Sequence, residues 1–409
     1  MPQPKSSTTP YRTPPRVYDI EDVQKYVVGG YHPVNIGDWL GTEDKRYKII
    51  HKLGSGGFST VWWTQSSVDR RYYALKVMCA DAADDQELET MHQLSNRGVK
   101  HPNVNILLDS FHVKGPNGTH LCLVFPLLGP SLKRVRGRLA KSSRHRVCAQ
   151  IASALTFLHE QEICHGDLTP SNILFELRDI QTWTETQIYD FFGVVRTAEL
   201  RLHNGSYSEH APKEVVRTLE FPILDNYLLG NIRIIDFGQS YNANKPPVGL
   251  GIPMFYFPPE LCFGYPPSKK SDVWALACII FEVQTWRPLV PMVFQNFEIL
   301  IGTLRFTLGP LPEEWRAWYS DVYASEDLHG QGAPEIWFDK DSPLEWPLPS
   351  LIDEKASHLS PGEKEGLLHL LQLMLAFEPS QRISAKEVLD HPWIRDAPSG
   401  DDLAFTEQA

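Results

Sequence analysis

The apolar residues of this chain change their period once, near Gly129, and that switch limits the folds open to it. Before it, Tyr47–Leu53, Ser59–Gln65, Tyr72–Val77, Val104–Val113 and His120–Phe125 alternate or are rich in β-branched and aromatic residues, as short antiparallel strands are. One helical run, Asp84–Ser95, interrupts them. After the switch, Arg144–His159 and Asp272–Val283 carry apolar residues three and four apart, the spacing of helices that bury a face. The expected fold is therefore α+β, with a small antiparallel β-rich lobe holding one key helix and a larger, mostly helical lobe after it. A chain of 409 residues suits two such units. No internal repeat is visible, which excludes solenoids and propellers.

Hydrophobic residues at 42% and charged residues at 22% are the balance of a globular protein. The six cysteines are scattered, with no CxxC pair, and read as reduced core thiols. Met1–Pro15 is rich in Pro, Ser and Thr and reads as a flexible tail rather than a secretory signal. The most apolar runs, Val273–Val283 and Leu367–Phe377, are too short to cross a bilayer, so no membrane partner is expected. A net charge of −11 argues against direct binding of nucleic acid and leaves room for a basic partner.

The chemistry concentrates in four places. Leu53, Gly54, Ser55, Gly56 and Gly57, followed by Val61, form a glycine-rich turn between strands, through which backbone amides can approach triphosphate oxygens without Cβ interference. Ala74-Leu75-Lys76-Val77 then puts a lysine inside an apolar strand, where an ammonium needs an anion. Glu87 shares a helix face with Met91 and Leu94 and is chosen as the partner of Lys76, with Glu89 as the alternative. His165-Gly166-Asp167-Leu168-Thr169-Pro170-Ser171-Asn172 and Ile234-Ile235-Asp236-Phe237-Gly238 follow. Asp167 can accept the proton of a substrate hydroxyl. Asn172 and Asp236 offer hard oxygen ligands to magnesium bridging phosphates. Each motif is weak alone, and their order is specific.

Together these motifs resemble those of protein kinases over Tyr47 to Ile394, which implies the two-lobed kinase fold with ATP and magnesium as cofactors. Pro258-Pro259-Glu260 looks like the family's Ala-Pro-Glu, Ser271-Asp272-Val273-Trp274 like its buried-aspartate helix, and Arg382 like the arginine that pairs with that glutamate. In the adenine strip Phe125 looks like the gatekeeper, Pro126 like the first hinge residue and Leu128 like the residue whose amide faces adenine. Gly29 to Asp38, with Arg46-Tyr47 and Phe58-Ser59-Thr60-Val61-Trp62, is similar to the start of the SR protein kinases, although an N-terminal strap can occur on any kinase. The resemblance divides the chain into a tail (1–16), a strap (17–46), the small lobe (47–129), the large lobe (130–396) with an insertion at 176–231, and a C-terminal tail (397–409). Within the insertion Thr182–Gly193 reads as a short helix, and the segment is expected to pack on the lobe rather than act as a spacer. A monomer is expected, and the resemblance further implies a place in the cytoplasm with access to the nucleus and basic, arginine/serine-rich protein substrates.

Several positions depart from the kinase pattern. Ser59 replaces the third glycine of the loop. Thr169 stands where the catalytic loop carries lysine, and Pro253 where its threonine partner would be. Losing both reads as one coordinated change; Thr169 keeps a hydroxyl to offer Asp167 or the transferred phosphoryl but brings no charge. Gly166 replaces an arginine that reads activation-loop phosphate in many kinases, so phosphorylation at Ser240 or Tyr241 has no evident cationic partner. These changes leave a second reading open, a pseudokinase scaffold that binds basic proteins. Between Glu313 and Glu354 eleven acidic residues face two cations, a local balance of −9. That stretch is either a solvated surface or, as in SR protein kinases, an acidic groove for arginine-rich segments.

Overall fold

The computed structural model describes residues 10–12, 14, 18–82, 86–178, 180–222, 227–291, 297–317 and 335–396. It divides into two compact units: Met1–Gly98 with Asn105–Gly129 and Glu176–Tyr227, and Val99–Val104 with Pro130–Phe175 and Leu228–Ala409.

The first unit opens with a two-residue strand, β1 (Tyr11–Arg12), and then builds one sheet from β2 (Trp39–Gly41), β3 (Arg46–Ser55), β4 (Ser59–Ser66), β5 (Tyr72–Met78), β6 (Asp109–Gly115) and β7 (Gly118–Pro126). The order is β2-β3-β4-β5-β7-β6, antiparallel throughout. Helix α1 (Gln86–Asn96) lies between β5 and β6 in the chain. Alternation gives this sheet two different faces. Trp62, Leu75, Val77, Cys122 and Val124 join Val34 and Leu40 from the N-terminal segment in a dry core. The opposite set contains Val61, Ala74 and Lys76, with Val61 directly across from Lys76 and Ala74 across from Phe125. Of the run expected as a strand over Val104–Val113, only the part from Asp109 is one.

The insertion gives the main departure from the sequence reading. Assigned there to the large lobe, Glu176–Tyr227 instead belongs with the sheet. The chain first makes α2 (Lys141–Glu160), β8 (Ile163–Cys164) and β9 (Ile173–Leu177), and then α3 (Glu185–Phe192), β10 (Thr197–Glu199), β11 (Arg201–Leu202) and β12 (Glu214–Val216). Thr184 caps α3, accepting from Gln187 N in a reciprocal capping box, and Gly193 at φ 91° ends it. Phe192 packs edge-on to Trp63 with ring centroids 5.2 Å apart, Tyr72 donates its hydroxyl to Trp183 O at 2.6 Å, and Tyr189 donates to Ile50 O at 3.0 Å. β11 pairs with β1, and β12 pairs with β10. The physical reason is the apolar face of the sheet that carries Trp62, Leu75 and Val77: Val216 of the insertion buries itself in that core beside the N-terminal segment.

In the second unit the remaining elements are β13 (Leu228–Ile234), β14 (Tyr241–Asn242), α4 (Pro259–Cys262), α5 (Lys269–Thr285), α6 (Phe297–Leu308), α7 (Leu348–Lys355), α8 (Pro361–Met374), α9 (Ala385–Asp390) and α10 (Pro392–Arg395). α5 is the core helix, buried at every position from Ser271 to Thr285 and started by Ser268 and Ser271 as reciprocal caps. β9 pairs with β13, and β8 with β14, fixing the two loops that carry Asp167 and Asp236. All six cysteines are buried and unpaired. Among the described residues no helix is long and apolar enough to cross a membrane.

Candidate active site

In the first unit, β5 holds Lys76 almost wholly buried, and its Nζ lies 2.5 Å from Glu87 Oε2 on α1. Glu87 is buried with Met91 and Leu94, whereas Glu89 is exposed. Along β3 and β4 the glycine-rich turn is closed by Gly56 N donating to Ser59 O at 2.9 Å. A Cβ added at Gly54 or Gly56 would meet nothing within 4 Å, so the room these glycines leave faces outside the chain, as a phosphate cradle requires. Two carbonyls of the turn are held from the N-terminal segment: Tyr31 Oη donates to Gly56 O at 2.5 Å and Lys25 Nζ to Gly57 O at 2.6 Å. Lys25 also sits 5.5 Å from the centroid of the exposed Phe58 ring. Ser59, in place of the third glycine, is buried. Leu53 and Val61 are half-buried, Ser55 and Gly57 exposed; Phe125 and Pro126 are the last residues of β7, and Leu128 lies two residues beyond it.

In the second unit, Asp167 and Asn172 are tied directly. Asn172 Nδ2 donates to Asp167 O at 2.9 Å and to Asp167 Oδ2 at 3.0 Å, which leaves the Asn172 amide oxygen as its remaining group. Ile235 N donates to Asn172 O at 2.9 Å, so the loops of Asn172 and Asp236 are stitched through their backbones. Asp236 is held at φ 65°, an uncommon conformation for a non-glycine residue. Asp167 Oδ1 is buried with no hydrogen-bond partner among the described residues. Burial, with the charge of Asp236 adding to it against His165 and Asn172, raises the Asp167 carboxyl to about 6. A carboxyl of that strength is ionised at neutral pH and remains basic enough to accept a hydroxyl proton. A carboxylate, an amide oxygen and an orphaned buried oxygen suit a hard divalent cation such as magnesium, which Asn172 and Asp236 would hold.

Asp272 organises this loop from beneath. It accepts from His165 N at 2.8 Å, Gly166 N at 3.0 Å and His159 Nε2 at 2.9 Å. Burial alone would raise its carboxyl, and these donors outweigh it, so the group stays below the usual range. The same packing explains Gly166: at φ 75°, a Cβ there would lie 2.2 Å from Gln239 O. An arginine is excluded at this position by sterics. Thr169 is buried, yet its hydroxyl makes no hydrogen bond to Asp167, contrary to one of the two roles expected of it. Pro253 is exposed and opens a short 3-10 turn. Ser240 is buried with its hydroxyl on Phe237 O at 2.7 Å, and Tyr241 is buried too, so neither presents its hydroxyl for modification in this conformation. Arg382 and Glu260 are fully buried and bidentate, at 2.8 and 2.6 Å. The remaining donors of Arg382 reach Ala376 O, Lys270 O and Phe377 O.

A protein kinase domain model matches residues 47–221 and 223–394. The chain belongs to the protein kinase family. The serine/threonine-protein kinase SRPK of Physarum polycephalum is 27% identical over 93% of both chains. The serine/threonine-protein kinase spk-1 of Caenorhabditis elegans is 34% identical over 48% of this chain and 20% of its own length. The protein kinase dsk1 of Schizosaccharomyces pombe is 24% identical over 92% of this chain and 85% of its own. Among solved structures, the kinase domain of PF14_0431 covers 89% of this chain and 98% of its own, with a TM-score of 0.61 at 20% identity, a likeness of fold. This kinase is thus a serine/threonine enzyme and a divergent relative of the SR protein kinases.

Sequence reasoning missed a second buried pair. Lys52 on β3 is fully buried and bonds Glu21 of the N-terminal segment, which also accepts from Tyr26 Oη. In the acidic stretch, Arg316 is gripped by Glu313 at 2.5 Å and Glu335 at 2.7 Å, and Lys364 by Asp353 at 3.3 Å, which cancels part of the local charge. Asp321, Glu326 and Asp327 lie outside the described residues.

Proposed function

We propose that this kinase uses ATP with magnesium to phosphorylate serine or threonine in basic, arginine/serine-rich protein segments. The observation that carries the catalytic part is the Asp167–Asn172 tie, which fixes the base and turns the amide oxygen of Asn172 free while the neighbouring loop carries Asp236. Bound magnesium would neutralise phosphate charge during transfer. Lys76, held by Glu87, would position the phosphates. The glycine turn would offer its amides, with Leu53, Val61, Ala74, Phe125, Pro126 and Leu128 enclosing the adenine. Asp167 would take the hydroxyl proton of the substrate. Thr169 brings no cation to the transferred phosphoryl, so a slower turnover than with lysine is expected. The same reading carries a monomer in the cytoplasm with access to the nucleus.

The substrate part is supported by the relatives and by exposed acids such as Glu314 in a stretch of net charge −9. The test uses labelled ATP, magnesium and two matched peptides, one rich in Arg-Ser dipeptides and one with Arg replaced by Gln, at two salt concentrations. A higher kcat/KM for the arginine peptide that falls as salt rises is expected. Equal rates would defeat the substrate proposal alone. No transfer to either peptide, nor to a generic serine-containing protein, would defeat the catalytic one.

A further inference from the structure

A cleft of about 270 Å³ on the first unit has no part in the chemistry above. It is lined by His51, Phe192, Arg196, Arg217, Thr218 and Glu220 among others, so β3 supplies one wall and the insertion the rest. Its polar groups are donors in surplus. His51 Nδ1 accepts from Lys52 N at 2.8 Å and lies farther, 3.2 Å, from Lys52 O; the closer contact favours the tautomer with its proton on Nε2, which bonds nothing among the described residues. Burial keeps that imidazole below the usual histidine range and hence neutral. Thr218 N is spent on Asp19 O at 2.9 Å, and its hydroxyl makes no bond among the described residues. Arg217 sits over the Tyr18 ring, with Cζ 4.4 Å from the ring centroid, and its side chain is only 11% exposed. One edge of this guanidinium is half used: Nη2 meets Glu220 at 2.5 Å while Nε is buried with no acceptor. Arg196 is exposed and makes no ion pair among the described residues.

We propose that this cleft binds a phosphate monoester, taken bidentately by Arg217 and closed over by Arg196, with His51 Nε2–H and the Thr218 hydroxyl donating to the remaining oxygens. Glu220, 58% exposed and held by a single contact, is the internal stand-in that the ligand displaces. Two arginines, an imidazole N–H and a hydroxyl exceed what the two oxygens of a carboxylate can accept, and match a dianion with three terminal oxygens. A concave surface with two arginines and one carboxylate also runs against the −11 charge of the chain, which a solvated face would not. The monoester is either a small phosphorylated metabolite or a phosphoserine side chain.

Calorimetric titration of the 409-residue chain with O-phospho-L-serine, glycerol 3-phosphate, inorganic phosphate, serine and acetate tests this. Saturable 1:1 binding of the phosphate compounds, with none of serine or acetate, is expected, and a preference between the two esters names the source. Arg196→Gln, at an exposed side chain that leaves the fold alone, should weaken binding about tenfold, and Glu220→Gln should tighten it several-fold by removing the competitor. Arg217→Gln should abolish binding, and Arg196→Gln with Glu220→Gln keeps the test decisive if that variant misfolds. No saturable binding, or binding that neither Arg196→Gln nor Glu220→Gln alters, would overturn the proposal, the latter because the phosphate would then be seated elsewhere.

Discussion

Lys52 on β3 and Lys76 on β5 each carry an ammonium into the same sheet, and each meets a glutamate from outside it, Glu21 and Glu87. The Lys52 pair is sealed, with side chains 0% and 1% exposed, and Glu21 is locked further by the Tyr26 hydroxyl. Burial pulls the Lys52 ammonium below the ordinary lysine range, against the attraction of Glu21. The Lys76 pair is 11% and 5% exposed, its glutamate carried by a helix of eleven residues. A sealed pair can only bind two chain segments together; a pair with a solvent-facing edge can also meet a ligand.

The largest effect should come from breaking the open pair. Lys76→Met is expected to lower kcat/KM for phosphoryl transfer by about 10²- to 10³-fold, with a melting temperature within a few degrees of wild type. Lys52→Met should do the reverse, costing about 3–5 kcal/mol of stability by leaving Glu21 charged and buried, while the folded fraction keeps its turnover. Replacing both partners, Lys52→Met with Glu21→Leu, should recover most of that loss in denaturant titrations. If Lys76→Met unfolded the protein as readily as Lys52→Met, the contrast would collapse.

Acid separates the pairs from a third buried feature of the same unit. His32 and His120 have ring centroids 4.7 Å apart, and burial together with His120 lowers His32 to about 4. Burial lowers His120 as well. The unfolded chain therefore binds more protons than the folded one between about pH 6.5 and 4, so stability falls as pH falls through that window. From pH 7 to 5 the loss at His32 alone is about 2 kcal/mol. His32→Phe should flatten the slope, and the doubly substituted Lys52/Glu21 protein should retain it.

The smallest effect tests how far the N-terminal segment reaches. Tyr31→Phe removes the hydroxyl that holds Gly56 O and should raise KM for ATP a few-fold, about 1 kcal/mol, with kcat little changed. An unchanged KM would leave the segment with the structural role of Glu21 alone.

Lys76, Glu87, Asp167, Asn172 and Asp236 were readable because the chemistry demands those residue types in that order, and because Glu87 shares a helix face with Met91 and Leu94. Lys52 was not. The β3–β4 register shifts between Ile49 and His51 and again between Lys52 and Gly54, so strict alternation fails where it would have shown which way Lys52 points. The insertion was legible as a helix near Thr182–Gly193 but not in its destination. Chain order suggests the neighbouring lobe, whereas the uncovered face of a sheet made a hundred residues earlier decides. Gly166 reads as a lost arginine until the carbonyl of Gln239 shows that no side chain fits.

The first unit is discontinuous in the chain, and this has a bearing on synthesis. Its sheet ends at Pro126, but the core that sheet shares is finished only by Val216, and β1 waits for Arg201–Leu202. At roughly 5–20 residues per second, the ribosome needs about 5–20 s to supply that gap. During that interval Trp62, Leu75, Val77 and Val124 lack part of their cover, so the nascent chain is most exposed to misassociation after its sheet has been made and before its insertion has emerged.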